Sequence, residues 1–419
     1  MAANLPIDAQ RLWDDVMALA GITDPEQPYT RRAFTPRFLE GRAWLRRRFA
    51  EAGLDARIDA AGNLIGRRSG HTPGKGVIMI GSHSDTVPGG GRFDGAAGVI
   101  VALEVARSLQ ERGIALDHDL EVIDCLAEEA NVYGVSCVGS RGLSGRLTPE
   151  LLAYREPGGE TVAEALGRMG GDADRIAEAR RDDVAAFLEL HIEQGRVLES
   201  ERVDVGVVRS IVGILRVELI VEGRADHAGT TPMPLRVDAL CGAAAAILAV
   251  RDKAEALAAE NAGYFAATIG VIEAAPNAAN VVPTTARMVI DARAERRETM
   301  QRFAAWTQAE LPEIVGATRA RLSRVTTLSD APQALADPSI CALVVEAADA
   351  LGLSWREMAS GAGHDAAMLS RVAPMTMIFT PCREGRSHCA EEWVEPEQLA
   401  AGAAVMFEAV LRIDRRNRD

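Results

Sequence analysis

Val77-Ile78-Met79-Ile80-Gly81-Ser82-His83-Ser84-Asp85-Thr86-Val87-Pro88 begins with four consecutive apolar residues and turns abruptly into polar, chemically capable ones. An unbroken apolar run of this length suits a strand buried on both faces. Gly90-Gly91-Arg92-Phe93-Asp94-Gly95 comes next and leads into an Ala- and Val-rich segment, 95–109, that reads as a helix packed on that strand. Residues 120–126 give a second buried strand, and a third short one ends at Leu188-Glu189-Leu190. Strand, helix and strand at this spacing predict an α/β layer fold.

Working outward, Thr35-Pro36 opens a helix whose apolar face is Phe38, Leu39, Trp44, Leu45 and Phe49, ended by Gly53. After residue 211 the texture changes. Residues 215–221 alternate, an Ala-rich helix is predicted over 234–259, strands over 264–272, 286–292 and 320–325, and a helix over 298–311. That order, strand–helix–strand–strand–helix–strand, is a compact α+β unit. From about residue 329 the first texture returns, with a helix over 340–351 and a buried strand over 375–379. The expected architecture is an α/β catalytic domain of residues 1–211 and 328–419, with a central mixed sheet flanked by helices. An α+β, ferredoxin-like dimerisation or lid domain of residues 212–327 is inserted into it.

Composition narrows the function. The 419 residues are 48% hydrophobic and 25% charged, an ordinary soluble mix. A net charge of −14 argues against a nucleic-acid binder, while an anionic substrate responds to local charge. Lysine occurs only at Lys75 and Lys253, which leaves little room for Schiff-base or phosphate-loop chemistry. Lys75 in Gly70-His71-Thr72-Pro73-Gly74-Lys75-Gly76 lacks the following Ser/Thr and helix of a phosphate loop. The six cysteines form no C-x-x-C pair, as expected of reduced thiols in a cytoplasmic protein. No apolar run reaches the ~18 residues of a membrane span, and no basic segment precedes an apolar one at the N-terminus.

The functional groups stand behind the strands, where ligands gather in open α/β sheets. His83 and Asp85 follow the first strand, Asp94 precedes the helix, and Glu128-Glu129 follows the second strand. His191-Ile192-Glu193-Gln194-Gly195 follows the third, and Ser387-His388 comes after the last. Singly, each has an ordinary explanation: His-x-Asp is a common hydrogen-bonding pair and adjacent acids usually face water. Yet Glu128-Glu129 directly follows a buried strand. Of seven histidines only His71 and His118 lie in plain polar segments, and the other five stand near Gly or acidic residues at element ends. His, Asp, Glu, His and His make a nitrogen and oxygen donor set suited to borderline divalent metals. One metal is expected on His83 and His191, a second on Glu129 and His388, with Asp94 bridging both. Such a pair polarises a carbonyl and acidifies water. Glu128 remains as an unligated carboxylate beside a ligand, the place for a general base. Asp85 is expected to accept a hydrogen bond from the other ring nitrogen of His83 and fix its tautomer, unless it is a plain turn acid.

These motifs resemble the hydantoinase/carbamoylase group of di-metal amidohydrolases, relatives of the aminoacylase and carboxypeptidase metallohydrolases. The group includes N-carbamoyl-L-amino acid hydrolases, allantoate amidohydrolases and β-ureidopropionases. The resembling segments are GSHSDTVPGGGRFDGAAGV (81–99), AEE (127–129), GSRGLSG (139–145), HIEQGRVLE (191–199), DHAGTTPMPLRVDAL (226–240), NVVP (280–283), SGAGHDA (360–366) and SH (387–388). HIEQG and HAGTTPM separate this group from its peptidase relatives, which usually place an acid where His191 stands.

The resemblance implies an amidohydrolase cleaving a linear ureido or amide bond of a small carboxylated substrate, with two divalent metals per subunit, Zn2+ or Mn2+, Co2+ or Ni2+. It implies a homodimer in which His227 reaches the partner's active site and stabilises the oxyanion. Gln194 would touch the ureido group. Asn280 and Arg293, with backbone around Gly363, would hold the substrate carboxylate, for which Arg has a matching planar fork. Arg293 also stands beside Asp291, with which it can form a salt bridge. His364 and Asp365 are expected behind the ligands rather than among them. Glu128-Glu129-Ala130-Asn131-Val132-Tyr133-Gly134 departs from the group's usual acid–acid–Gly run, so the loop beside the base differs in volume and polarity. An N-acyl-amino acid amidohydrolase or dipeptidase is the rival reading, and a catalytically retired binding protein is a third. A binder has no use for Glu128.

Overall fold

The computed structural model describes residues 5–416, which divide into two units. The first takes the chain up to Arg209, then Leu335–Met358 and everything from Gly363 on; the second takes Ser210–Ala334 with Ala359–Ala362. Strands in chain order are β1 (Asp55–Ile58), β2 (Leu64–Arg68), β3 (Val77–His83), β4 (Asp119–Cys125), β5 (Val184–Ile192) and β6 (Val205–Ile211). They continue as β7 (Gly213–Glu222), β8 (Phe265–Ala275), β9 (Thr285–Ala294), β10 (Arg321–Ala331), β11 (Ala334–Leu335), β12 (Trp355–Ser360) and β13 (Met375–Thr380).

A nine-stranded mixed sheet runs β1-β2-β4-β3-β5-β13-β6-β11, with β12 also on β6. Its centre, β4-β3-β5-β13, is parallel, and antiparallel pairs flank it. Val77, Ile78, Met79 and Ile80 are each at most 1% exposed, and such side chains contribute roughly 1.5–3 kcal/mol apiece on burial. The apolar run therefore lies mid-sheet, and β3 extends beyond it to His83. The helix Ala96–Glu111 lies directly on the sheet. A Cβ at Gly98 would stand 2.2 Å from the Leu190 carbonyl oxygen and 2.7 Å from Ser82 Cβ, so only glycine lets this helix approach so closely. Thr35 caps the helix Pro36–Glu51 through the Phe38 amide, as its Ser/Thr-Pro signature predicts.

The second unit carries the four-stranded antiparallel sheet β10-β7-β9-β8, which with its two crossing helices is the ferredoxin-like order. Leu215, Val217, Leu219 and Val221 on β7 alternate inward, as do Met288, Ile290 and Ala292 on β9. This unit exceeds residues 212–327 because β10 pairs with β7 as far as Ala331 and the Val212 amide bonds the Ser360 carbonyl. The helix expected over 234–259 begins only at Ala239. Asp238 accepts from the Leu240 and Cys241 amides and starts it there, while Met233–Leu235 forms a separate 3-10 turn. The helix expected over 298–311 is Arg297–Ala309, and Pro312, without an N–H, opens a second helix, Leu311–Gly316. Among the described residues no helix is long and apolar enough to cross a membrane.

Candidate metal centre and active site

The parallel strands deliver their carboxyl ends to one edge of the sheet. β3 ends on His83, opposite Cys125 of β4, and His191 lies opposite Phe379 of β13. Glu128 and Glu129 follow β4, and His388 follows β13. Asp94 arrives on the Gly-rich turn ahead of the helix. There Gly95, at φ +63°, leaves only 2.2 Å between a hypothetical Cβ and the His83 ring.

His83 Nδ1 donates to the Asp85 carbonyl at 3.0 Å, and His191 Nδ1 to the Ile192 carbonyl at 2.9 Å. Both rings thus direct Nε2 at Asp94 Oδ1, at 3.7 and 3.2 Å. On the other side of the same carboxylate, His388 Nε2 lies 3.3 Å from Asp94 Oδ2 and 3.1 Å from Glu129 Oε1. Two donor triads result, His83–Asp94–His191 and Asp94–Glu129–His388, each with its ligand atoms within 4.8 Å of one another. Asp94 Oδ1 is buried without a hydrogen-bond partner. An orphaned carboxylate oxygen facing two oriented imidazoles fits a divalent cation. Glu128 stands outside both triads, its Oε2 3.7 Å from His83 Nε2.

Charges crowd this pocket. Burial would raise the Asp94 carboxyl, but His191, His388 and His83 hold it well below the usual range. Burial opposes charge on His83, yet Asp85, Glu128 and Asp94 raise its pKa well above the ordinary value. Hydrogen bonds to Asp94 and Glu129 lift His388 to about 10. Burial pushes Glu128 well up, with Asp365, Glu129 and Asp85 adding to the effect against His83. A carboxylate kept basic beside an electrophilic centre is suited to proton transfer.

The Asp85 carboxylate is placed differently from expectation. Its own carbonyl takes the His83 hydrogen bond, and Oδ1 is 3.5 Å away. The carboxylate instead accepts from the Glu128 and Glu129 amides at 3.3 and 3.2 Å, so it holds the loop carrying both acids. Gln194 Nε2 donates to Asp94 Oδ2 at 2.5 Å, and its Oε1 is buried without a partner. The His364 ring packs edge-on to His191 at 4.5 Å, and Asp365 accepts from Ser140 Oγ at 2.5 Å. Gly363 has open space where a Cβ would go.

The sequence reading passed over Glu392. It is fully buried and accepts from the Phe93 and Asp94 amides at 2.6 and 3.1 Å. Its other oxygen meets Ser387 Oγ, which itself reaches Asp94 Oδ2 at 2.5 Å. Glu392 thereby ties the Asp94 turn to the His388 loop. Its one mark in the sequence is a second Glu-Glu pair, Glu391-Glu392, close behind His388.

Within the second unit, His227 is exposed, and its Nδ1 accepts from the Gly229 and Thr230 amides at 3.0 and 3.2 Å. That leaves the hydrogen on Nε2. The Ala228 amide bonds the carbonyl of Asn280 at 3.0 Å and His227 bridges Val281, so His227 and Asn280 sit on paired segments. Arg293 bonds Asp291 Oδ1 and the Gly361 carbonyl, both at 2.8 Å, so the salt bridge open to it is formed.

The family model Peptidase family M20/M25/M40 matches residues 79–412. The chain belongs to this family. It is 36% identical over 418 residues to an N-carbamoyl-L-amino acid amidohydrolase of Geobacillus stearothermophilus, covering 97% of this chain and 99% of that one. It is 35% identical to a ureidoglycolate hydrolase of Arabidopsis thaliana, over 97% of this chain and 87% of that one. A crystal structure of an amidase of the hydantoinase/carbamoylase family from Burkholderia multivorans superposes with a TM-score of 0.90 at 34% identity, covering 98% and 99% of the two chains. The resemblance read from the motifs is met, and the protein is a hydrolase of carbon–nitrogen bonds from a metal-dependent family.

Proposed function

We propose that the protein hydrolyses the ureido bond of a small carboxylated ureido acid, an N-carbamoyl-L-amino acid or an allantoate-like compound, and releases ammonia and CO2. The observation that carries this reading is Asp94 shared by two donor triads, with Glu128 3.7 Å from His83 and part of neither. His83, His191 and Asp94 would hold one divalent ion, and Glu129, His388 and Asp94 a second, Zn2+ or one of Mn2+, Co2+ and Ni2+. Bound there, the ions supply carbonyl polarisation and a lowered pKa for water.

Glu128 takes the proton from the attacking water and returns it to the leaving nitrogen. The hydrogen on His227 Nε2 stabilises the oxyanion, contributed across a homodimer whose contacts lie in the inserted lid domain. Because Asn280 shares paired segments with His227, the two act on one substrate together. Arg293, with Asn280 and backbone near Gly363, holds the substrate carboxylate. Gln194 Oε1, without a partner among the described residues, accepts from the ureido N–H. The protein works in the cytoplasm. Ammonia release from a panel of N-carbamoyl-L-amino acids, allantoate and N-acyl-L-amino acids tests the reading. Ammonia from ureido acids is expected; turnover confined to N-acyl compounds, with no ammonia, would replace it with an aminoacylase.

A further inference from the structure

Glu128 has a neighbour that the proposed reaction does not use. Cys137 is buried, and its Sγ lies 3.5 Å from Glu128 Oε1. Its amide bonds the Glu128 carbonyl at 3.0 Å, and the Val138 and Gly139 amides bond the carbonyls of Ala127 and Leu126. Residues 137–139 are thereby laced to residues 126–128, and the thiol is aimed at the carboxylate by main-chain contacts on both sides. Cys137 adopts φ 55°, ψ 39°, the left-handed region that glycine enters freely and a residue with a Cβ enters at a cost. A strained side-chain-bearing residue directed at a reactive group is the pattern expected where the side chain has a task.

We propose that the Cys137 thiol positions Glu128, donating a hydrogen bond to Oε1 and holding the carboxylate in line for proton transfer. The proposal rests on the reading of Glu128 as the proton acceptor. The two carboxylate oxygens have different neighbours. Oε2 faces His83 Nε2, an atom the proposed function gives to a metal, whereas Oε1 faces the thiol, a donor that stays with the carboxylate throughout. A thiol is a weak donor. Its part is to fix the direction of the carboxylate.

The test compares Cys137→Ala with Cys137→Ser in the metal-loaded enzyme, using the N-carbamoyl-L-amino acid or allantoate that the wild type turns over. Both variants remove similar volume and keep a Cβ in the left-handed conformation; they differ in the donor. Cys137→Ala is expected to lower kcat about 3- to 10-fold, the size of one weak hydrogen bond, with KM and metal content unchanged. Cys137→Ser is expected to restore kcat to within about 2-fold of wild type, because a donor is back in place. Equal losses in the two, or a change confined to KM, would overturn the proposal and leave Cys137 a packing residue. If either variant fails to fold, the infrared S–H stretch of the wild type against Glu128→Gln decides. A neutral acceptor weakens the bond, so one S–H band should move to higher frequency; an unmoved S–H region overturns the proposal. A fully active Glu128→Gln enzyme would instead remove the base reading itself, an outcome distinct from an inactive one whose S–H bands stay put.

Discussion

The first unit buries its reactive side chains apart from His388, which is about half exposed, and the second displays its own. His83, Asp94 and His191 are 1%, 4% and 1% exposed, whereas His227 and Asn280 face solvent and the Arg293 side chain is about a third exposed. Burial makes the first set interdependent: each ring or carboxylate owes its protonation to the others, and removing one leaves unpaired charge where water cannot repair it. The exposed set costs the fold little, and in the proposed function its residues act when substrate or a second subunit closes on them. The largest predicted effect follows from this contrast. Replacing His83, Asp94, Glu129, His191 or His388 by Ala should abolish turnover and lower bound metal, read by elemental analysis of the purified variants. Affinity for metal should fall toward acid pH, because ligating imidazoles must give up protons that His83, His191 and His388, all raised, hold firmly. Full activity after thorough chelation, with metal shown absent, would refute the buried half of the comparison.

Glu128→Gln is the next largest. It should lose about 10²–10⁴-fold in kcat while keeping its metal, since only proton transfer is removed. Loss of metal in that variant would mean that Glu128 and Glu129 have exchanged roles.

What the sequence reveals of this site divides along similar lines. The β3 run, the Ala-rich helix and the acid pair after β4 are legible because each is one local pattern whose chemistry follows on within a few residues. Glu392 and the true use of Asp85 are not, because their partners are main-chain amides brought together by the fold, Glu392 with Phe93 across 299 positions. The early start read for the helix Ala239–Ala259 has a local cause. Its apolar pattern runs on toward Pro234, and only the Asp238 cap marks the boundary.

The exposed half is tested by exchange between chains. His227→Ala should bind metal and substrate yet turn over about 10²–10³-fold more slowly, as for loss of one oxyanion donor. Mixing it with Glu128→Gln, after dissociation and reassembly, should restore activity, since a mixed dimer holds one site with both residues intact. No recovery in verified heterodimers would confine His227 to its own chain. A smaller effect is expected for Arg293→Ala. It should weaken carboxylated substrates by about 2 kcal/mol, the low end for losing a charged partner, because Arg293 is partly exposed and already shared with Asp291. Amide analogues of the same substrates should be nearly unaffected, and an equal loss for both would make Arg293 a structural residue of β9.

The smallest effect concerns the atypical loop after Glu129, which lies between the two regimes. Tyr133 is buried, stands edge-on to Phe34 at 5.1 Å between ring centres, and gives its hydroxyl to Glu160. Arg168 and then Tyr133 hold the Glu160 carboxyl down at about 2. A carboxyl depressed in the folded state stabilises above its unfolded pKa, and that contribution fades as the pH falls from about 4.5 toward 2. Arg168→Gln should therefore cost up to about 1 kcal/mol near pH 7, the range of a surface ion pair. The difference from wild type should shrink as the pH falls through about 2, to what the Arg168 hydrogen bond to the Phe34 carbonyl contributes, with kcat/KM unaltered at neutral pH. If the loop is anchored in this way, Tyr133 is a structural pin set beside the base. A change in substrate preference in Tyr133→Phe, whose stability should fall by only about 1 kcal/mol, would instead make the loop part of the substrate pocket and extend the interdependent region beyond the metal centre.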